Sequence, residues 1–129
     1  MILLDTHVVV WLYADPALLP IPVQRRLNEE ELGLPPLVRL ELQYLYDVGK
    51  VTVPAQDILA ELMPKLEITA TDPPSAPLCE VATRMNWTRD PFDRLIAAQV
   101  EAAGTPLVTK DRTIRKHLPL AWWADDAEV

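Results

Sequence analysis

The sequence predicts an α/β domain with a short, mostly parallel central sheet flanked by helices. Two observations carry this prediction. Short apolar runs of strand length, such as Met1 to Leu4 and Leu107 to Thr109, alternate with longer stretches of helical periodicity. Several of those stretches are punctuated at both ends, by Pro or Asp where they open and by Gly or Pro where they close. With 129 residues and no repeat, linker or low-complexity segment, the whole chain reads as a single domain, 1–129.

In chain order, Met1 to Leu4 is a buried strand ending at Asp5. Thr6-His7 opens the next element, and Val8 to Tyr13 is helix or extended, since the triplet Val8-Val9-Val10 locally favours a strand. Asp15-Pro16 closes it, and Pro22 to Glu31 is a charged amphipathic helix. Pro35-Pro36 starts a helix from Leu37 to Val48 that Gly49 ends. On that helix Leu37, Glu41, Tyr44, Leu45 and Val48 share one stripe, so Glu41 is the charged member of an apolar face, and Glu is rarely buried without a partner. A further helix runs from Ala55 to Met63 and stops at Pro64, followed by a short strand at Leu66 to Thr69. Asp72-Pro73-Pro74 is a loop and Ala76 to Met85 a helix. After the next helix, Gly104-Thr105-Pro106 turns into the strand Leu107 to Thr109. Arg112 to His117 makes one or two helical turns, Leu120 to Trp123 is a last strand, and 125–129 forms an acidic, disordered tail.

Composition bounds the function. Half the residues are apolar and 24% charged, as in ordinary soluble domains, and the longest apolar run, Val8 to Ala14, is far too short for a membrane span. Met1 is followed directly by Ile2-Leu3-Leu4-Asp5, with no basic leader, and the single cysteine, Cys79, allows neither an internal disulfide nor a thiolate-rich zinc site. Cys79 reads as a small core residue, and the cytoplasm is the expected compartment. A net charge of −7 argues against a general nucleic-acid-binding surface, yet suits an enzyme whose cleft carboxylates engage phosphate through divalent cations.

The most informative stretch runs from Trp87 to Gln99. Asp90 is an N-cap whose carboxylate accepts first-turn N–H groups, Pro91 sits at N1, and Asp93 at N3 gains from the helix dipole. Ile96, Ala97 and Val100 lie three, four and seven positions on, so Asp93 shares the core-facing stripe and needs a partner or a metal. Asp5 and Asp111 each follow a strand directly, at the carboxyl edge where α/β sheets bind ligands. With Glu41 they make four converging acids that repel one another without a counter-charge. Oxygen-only ligands suit Mg²⁺ or Mn²⁺, and such a cage suits phosphodiester cleavage. Lys110 and Arg112 flank the site, as phosphate contacts or as solvated surface, Arg94 pairs with Asp90, and Trp122 and Trp123 are packing residues.

The segments Leu3-Leu4-Asp5-Thr6-His7, Leu40-Glu41-Leu42, Arg89 to Gln99 and Leu107-Val108-Thr109-Lys110-Asp111 occur in the order seen in PIN-domain ribonucleases. The chain resembles, in particular, the VapC toxins of type II toxin–antitoxin systems. The resemblance implies a PIN-like three-layer fold. It implies an acidic quartet of Asp5, Glu41, Asp93 and Asp111 that is both catalytic and metal-binding, with Thr6 as the family's hydroxyl beside the first acid and Asp90 as an additional acid in support. It implies cleavage of RNA, often a tRNA or rRNA loop, neutralisation by a small antitoxin protein, and a homodimer. Leu34-Pro35-Pro36-Leu37 departs from the pattern, since many relatives carry a serine before the glutamate helix.

Two other readings use the same residues. A receiver-like signalling domain has an acidic pocket, a hydroxyl and a lysine at strand ends, but needs a phosphoacceptor Asp on a central strand, which no predicted strand supplies. A catalytically inactive PIN-like module would only bind a partner, and the intact quartet argues against it.

Overall fold

The first strand, β1 (Ile2–Leu4), is buried at every position, and its last residue leads straight into Asp5. The computed structural model describes residues 1–124. Asp5 caps helix α1 (Thr6–Ala14), its side chain accepting the Thr6 N–H. The β-branched triplet that locally favours a strand is therefore helical. Val8 and Val9 are fully buried in the core, and tertiary burial outweighs a propensity difference of well under 1 kcal/mol per residue. After a 3₁₀ turn at Pro16–Leu18 come α2 (Ile21–Glu29) and β2 (Leu32–Leu34).

Strand β2 has no counterpart among the predicted strands, because its three residues are interrupted by Gly33 and wedged between Glu29-Glu30-Glu31 and Pro35. Gly33 lies beside Leu3 in the parallel register, and a Cβ there would stand 2.9 Å from Leu3 Cδ2 and 2.8 Å from Met1 Sδ. The glycine leaves room for the Leu3 and Met1 side chains at that point of the sheet.

Helix α3 (Pro36–Asp47) forms as expected, but with a shifted face: Val38, Leu42 and Leu45 are buried, while Tyr44 and Val48 are exposed. The core-facing direction is rotated by about one residue, roughly 100°, from the predicted stripe. Glu41 therefore lies at the edge of the buried face instead of its centre. Helix α4 (Ala55–Lys65) passes through Pro64 to end one residue later. Strand β3 (Thr69–Ala70) and helix α5 (Ser75–Ala82) follow, and Cys79, on the outer side of α5, is exposed and not a core residue.

Helix α6 (Pro91–Ala103) begins on the Asp90 cap and ends at Gly104, whose φ of 62° is the left-handed cap conformation that glycine adopts without strain. Strand β4 (Leu107–Val108), helix α7 (Arg112–His117) and strand β5 (Ala121–Trp122) complete the described chain. Trp123 is buried and Trp122 half-buried under the Arg26 guanidinium, in keeping with packing roles. The predicted tail, 125–129, lies outside the described residues.

The strands form one five-stranded sheet in the order β3-β2-β1-β4-β5, every pair parallel. Helices flank it, with α3 packed on α1, α4 and α6, and α5 on α6. Ile2, Leu3, Leu4, Leu107 and Val108 are buried between them, as parallel strands covered on both faces require. The chain builds outward from β1 to β3, then returns to place β4 on the other side of β1. That reversal opens a crevice beyond the carboxyl ends of β1 and β4. Asp5 and Asp111 follow those two strands.

Candidate active site

The crevice is built around Asp5, which is 6% exposed. Its Oδ1 accepts the Thr6 N–H at 2.8 Å, and its Oδ2 accepts the Thr109 hydroxyl at 2.5 Å. Burial outweighs these two bonds and the nearby His7, raising the carboxyl above its ordinary value. The fully buried Thr109 also accepts the Asp111 N–H at 3.0 Å, so one hydroxyl ties the end of β1 to the start of α7. Thr109 is absent from the residues that sequence reasoning selects. Its only signal there is a hydroxyl following an apolar strand, directly before the Lys110-Asp111 pair.

Thr6, also fully buried, turns its hydroxyl towards Glu41 and donates to Oε1. Glu41 reaches the crevice from the edge of α3, and its carboxyl is raised by burial despite that bond, with Asp5 and Asp90 adding repulsion. Asp93 enters from the first turn of α6, half-buried, its neighbours Ile96, Ala97 and Val100 in the core as the spacing predicts. Its carboxyl is pushed up to about 7, first by burial and then by the charges of Asp90, Asp5, Glu41 and Asp111. Asp93 is thus the point at which all the acids meet electrostatically.

Asp90 caps α6 as expected, its Oδ1 accepting the N–H groups of Phe92 at 2.8 Å and Asp93 at 3.1 Å. Oδ2 takes neither bond, and Glu41, Asp90 and Asp93 can bring one ligand oxygen each to within 4.8 Å of one another. This grouping cuts across the predicted quartet: Asp90 joins Glu41 and Asp93, while Asp5 and Asp111 lie outside the triad. Asp111 caps α7, its side chain accepting the Ile114 N–H at 3.0 Å. It lines an open hollow of about 550 Å³ together with Asp5, His7, Trp11, Lys110 and Arg112. Arg94 does not pair with Asp90. Its Nε donates to the Thr88 carbonyl at 2.7 Å and holds the loop that leads into the cap.

The donor set fits a hard divalent cation. Every ligand atom offered is a carboxylate oxygen, and two of the three triad carboxyls are raised, first by burial and then by neighbouring acids whose repulsion a cation would relieve. Among the described residues, a larger hollow of about 730 Å³ bordered by Leu12, Ile21 and Lys65 brings together no comparable set of acids.

Residues 2–117 match the PIN domain family. The chain is 32% identical over 119 residues to Ribonuclease VapC22 of Mycobacterium tuberculosis, covering 90% of this chain and 91% of that protein. VapBC2 from Rickettsia felis, solved bound to a DNA fragment from its promoter, has a chain that superposes with a TM-score of 0.65 at 23% identity, over 95% of this chain and 99% of that one. DNA-bound VapBC from Salmonella typhimurium gives 0.63 at 18% identity, over 93% of each chain. At these identities the solved structures speak for the fold alone. The family match, and not strand placement, sets the receiver-like reading aside: β1 is the central strand and Asp5 directly follows it, so an acid does stand where that reading needs one. The chain belongs to the PIN-domain family and is VapC-like within it.

Proposed function

We propose that this protein is a Mg²⁺- or Mn²⁺-dependent endoribonuclease that acts as the toxin of a VapBC-like pair. The observation that carries the reading is the convergence of Glu41, Asp90 and Asp93 oxygens within 4.8 Å, backed by the buried Asp5 at the sheet's switch point. Asp5, Glu41, Asp93 and Asp111 are the proposed catalytic and metal-holding residues, with Asp90 contributing its free oxygen. A bound cation would screen the phosphate charge and lower the pKa of a water. The protein's own part is positional. Thr6 aligns Glu41 through its hydroxyl and Asp5 through its N–H, and Thr109 fixes the other oxygen of Asp5. Asp93, with a carboxyl near 7, holds or releases a proton close to neutral pH.

RNA as substrate, including a tRNA or rRNA loop, rests on the VapC-like relationship, as does a small antitoxin protein as partner. A second copy of the chain is the other proposed partner. Leu40, Tyr44, Tyr46 and Val48 on and beside α3 are 40–57% exposed, an apolar face that supports a protein contact. A monomer in light scattering at micromolar concentration would count against the dimer. No helix among the described residues is long and apolar enough to cross a membrane, and the cytoplasm is the compartment we propose. Incubation of the purified protein with cellular RNA tests the central reading. Cleavage should appear with Mg²⁺ or Mn²⁺, stop with EDTA and vanish in Asp93→Asn, and undiminished cleavage in EDTA would refute it.

A further inference from the structure

The hollow beside the acids has a second chemistry. It is lined by the buried Asp5 and the exposed Asp111, but also by His7, Trp11, Lys110 and Arg112. Lys110 lies between Thr109 and Asp111, in a chain of net charge −7, so attraction to a neighbouring carboxylate would be its simplest fate. Among the described residues it makes no ion pair. The Lys110 ammonium instead rests over the Trp11 ring, 5.3 Å from its centroid. Trp11 is itself braced from behind, tilted against the buried Trp123 with ring centroids 6.1 Å apart. A ring satisfies one side of an ammonium without neutralising it or using its N–H donors.

We propose that Trp11 is a positioning residue that holds Lys110 away from the metal-binding carboxylates, so that its ammonium takes a backbone phosphate of RNA next to the one being cleaved. This rests on the ribonuclease reading above. The ring does two things at once. It prevents the cation from collapsing onto Asp111 and competing with the divalent metal, and it aims a positive charge at the mouth of an otherwise repulsive cleft.

Binding of a fluorescently labelled single-stranded RNA oligonucleotide, measured by anisotropy in EDTA over a range of KCl, tests this without cleavage. Lys110→Ala should weaken binding about fivefold and lower the slope of log Kd against log salt by about 0.7, the value for one phosphate contact on a single strand. Trp11→Leu, which keeps apolar packing against Trp123 but removes the ring, should do nearly the same, and Trp11→Phe should restore most of the loss. The double variant Trp11→Leu/Lys110→Ala should be no weaker than Lys110→Ala alone. In cleavage assays with Mn²⁺ the loss should fall on KM, with kcat little changed. An unchanged salt slope in Trp11→Leu, or additive losses in the double variant, would overturn the proposal. If Trp11→Leu fails to fold, the Phe variant and the slope of the exposed Lys110→Ala still decide it, since a Lys110→Ala slope equal to wild type removes the phosphate contact itself. The two readings fail differently. Coupled losses of binding in a protein that never cleaves RNA would sink the nuclease and leave the phosphate contact standing, whereas cleavage with binding indifferent to Lys110 would sink only the contact.

Discussion

At the scale of single residues, the site's chemistry is concentrated in Asp93 and in two threonines. Burial and four neighbouring acids raise the Asp93 carboxyl from 3.8 to about 7. Without a cation, the native protein therefore binds a proton that the unfolded chain has already lost between about pH 4 and 7. That contribution to stability is complete below the unfolded value and disappears as pH rises through about 7. Melting temperatures in EDTA should accordingly fall from about pH 5 to pH 8 more steeply in wild type than in Asp93→Asn, with the variant the more stable at pH 8. A cation competes for the same carboxylate, so the midpoint for Mg²⁺ activation should move to higher concentration below pH 7. Thr109→Val keeps the shape of a fully buried side chain but removes the hydroxyl that bonds Asp5 and receives the Asp111 N–H. Its expected cost is about 1–3 kcal/mol, measured by urea unfolding. The same bonds make Asp5→Asn a poor probe of charge repulsion, because an amide cannot accept at both of the positions that Asp5 now fills.

The start of α6 shows how one element serves structure and chemistry together. Asp90 satisfies two first-turn N–H groups with one oxygen and faces Glu41 and Asp93 as part of the triad. The two roles separate by substitution. Asp90→Ala should lose the cap, at about 1 kcal/mol, as well as part of the response to metal. Asp90→Ser should recover the cap but not the response, read as the rise in melting temperature on adding Mn²⁺. If Ser restores both, Asp90 is a cap alone. In β2, Gly33→Ala would press a methyl group into Leu3 and Met1, and thermal melts should show a loss of about 1–3 kcal/mol.

At the scale of the whole molecule, the sheet order decides where the acids meet. Residues 5, 41, 93 and 111 are far apart in sequence, and they converge because β1 is central and the chain reverses direction around it. Folding carries the repulsion of that convergence, and a ligand that binds only the native state offsets it. Excess Mn²⁺ should therefore raise the melting temperature of the wild type, with a much smaller rise in Asp93→Asn. An equal shift in both proteins would place the cation elsewhere.

The sequence by itself determined the elements with strong local punctuation. Asp90-Pro91 and Gly104 bracket α6, Pro35-Pro36 opens α3, and the strands β1 and β4 read directly from Ile2-Leu3-Leu4 and Leu107-Val108. It also singled out acids beside the crevice, since Asp93 on a core-facing stripe and acids directly after apolar strands are visible without coordinates, but not the grouping of Asp90 with Glu41 and Asp93. Only the tertiary structure decided what depends on neighbours. Val8 and Val9 are helical because they are buried in the core, β2 is a strand because β1 lies beside Gly33, and α3 turns Val38 and Leu42 inward so that Glu41 reaches the crevice from its edge. Thr109 as the tie between Asp5 and Asp111, Asp90 as a partner of Glu41, and Trp11 beneath Lys110 belong to the same class. Local propensities differ by less than 1 kcal/mol per residue, while burial of one large apolar side chain is worth about 1.5–3 kcal/mol, so packing overrides local preference wherever the two disagree.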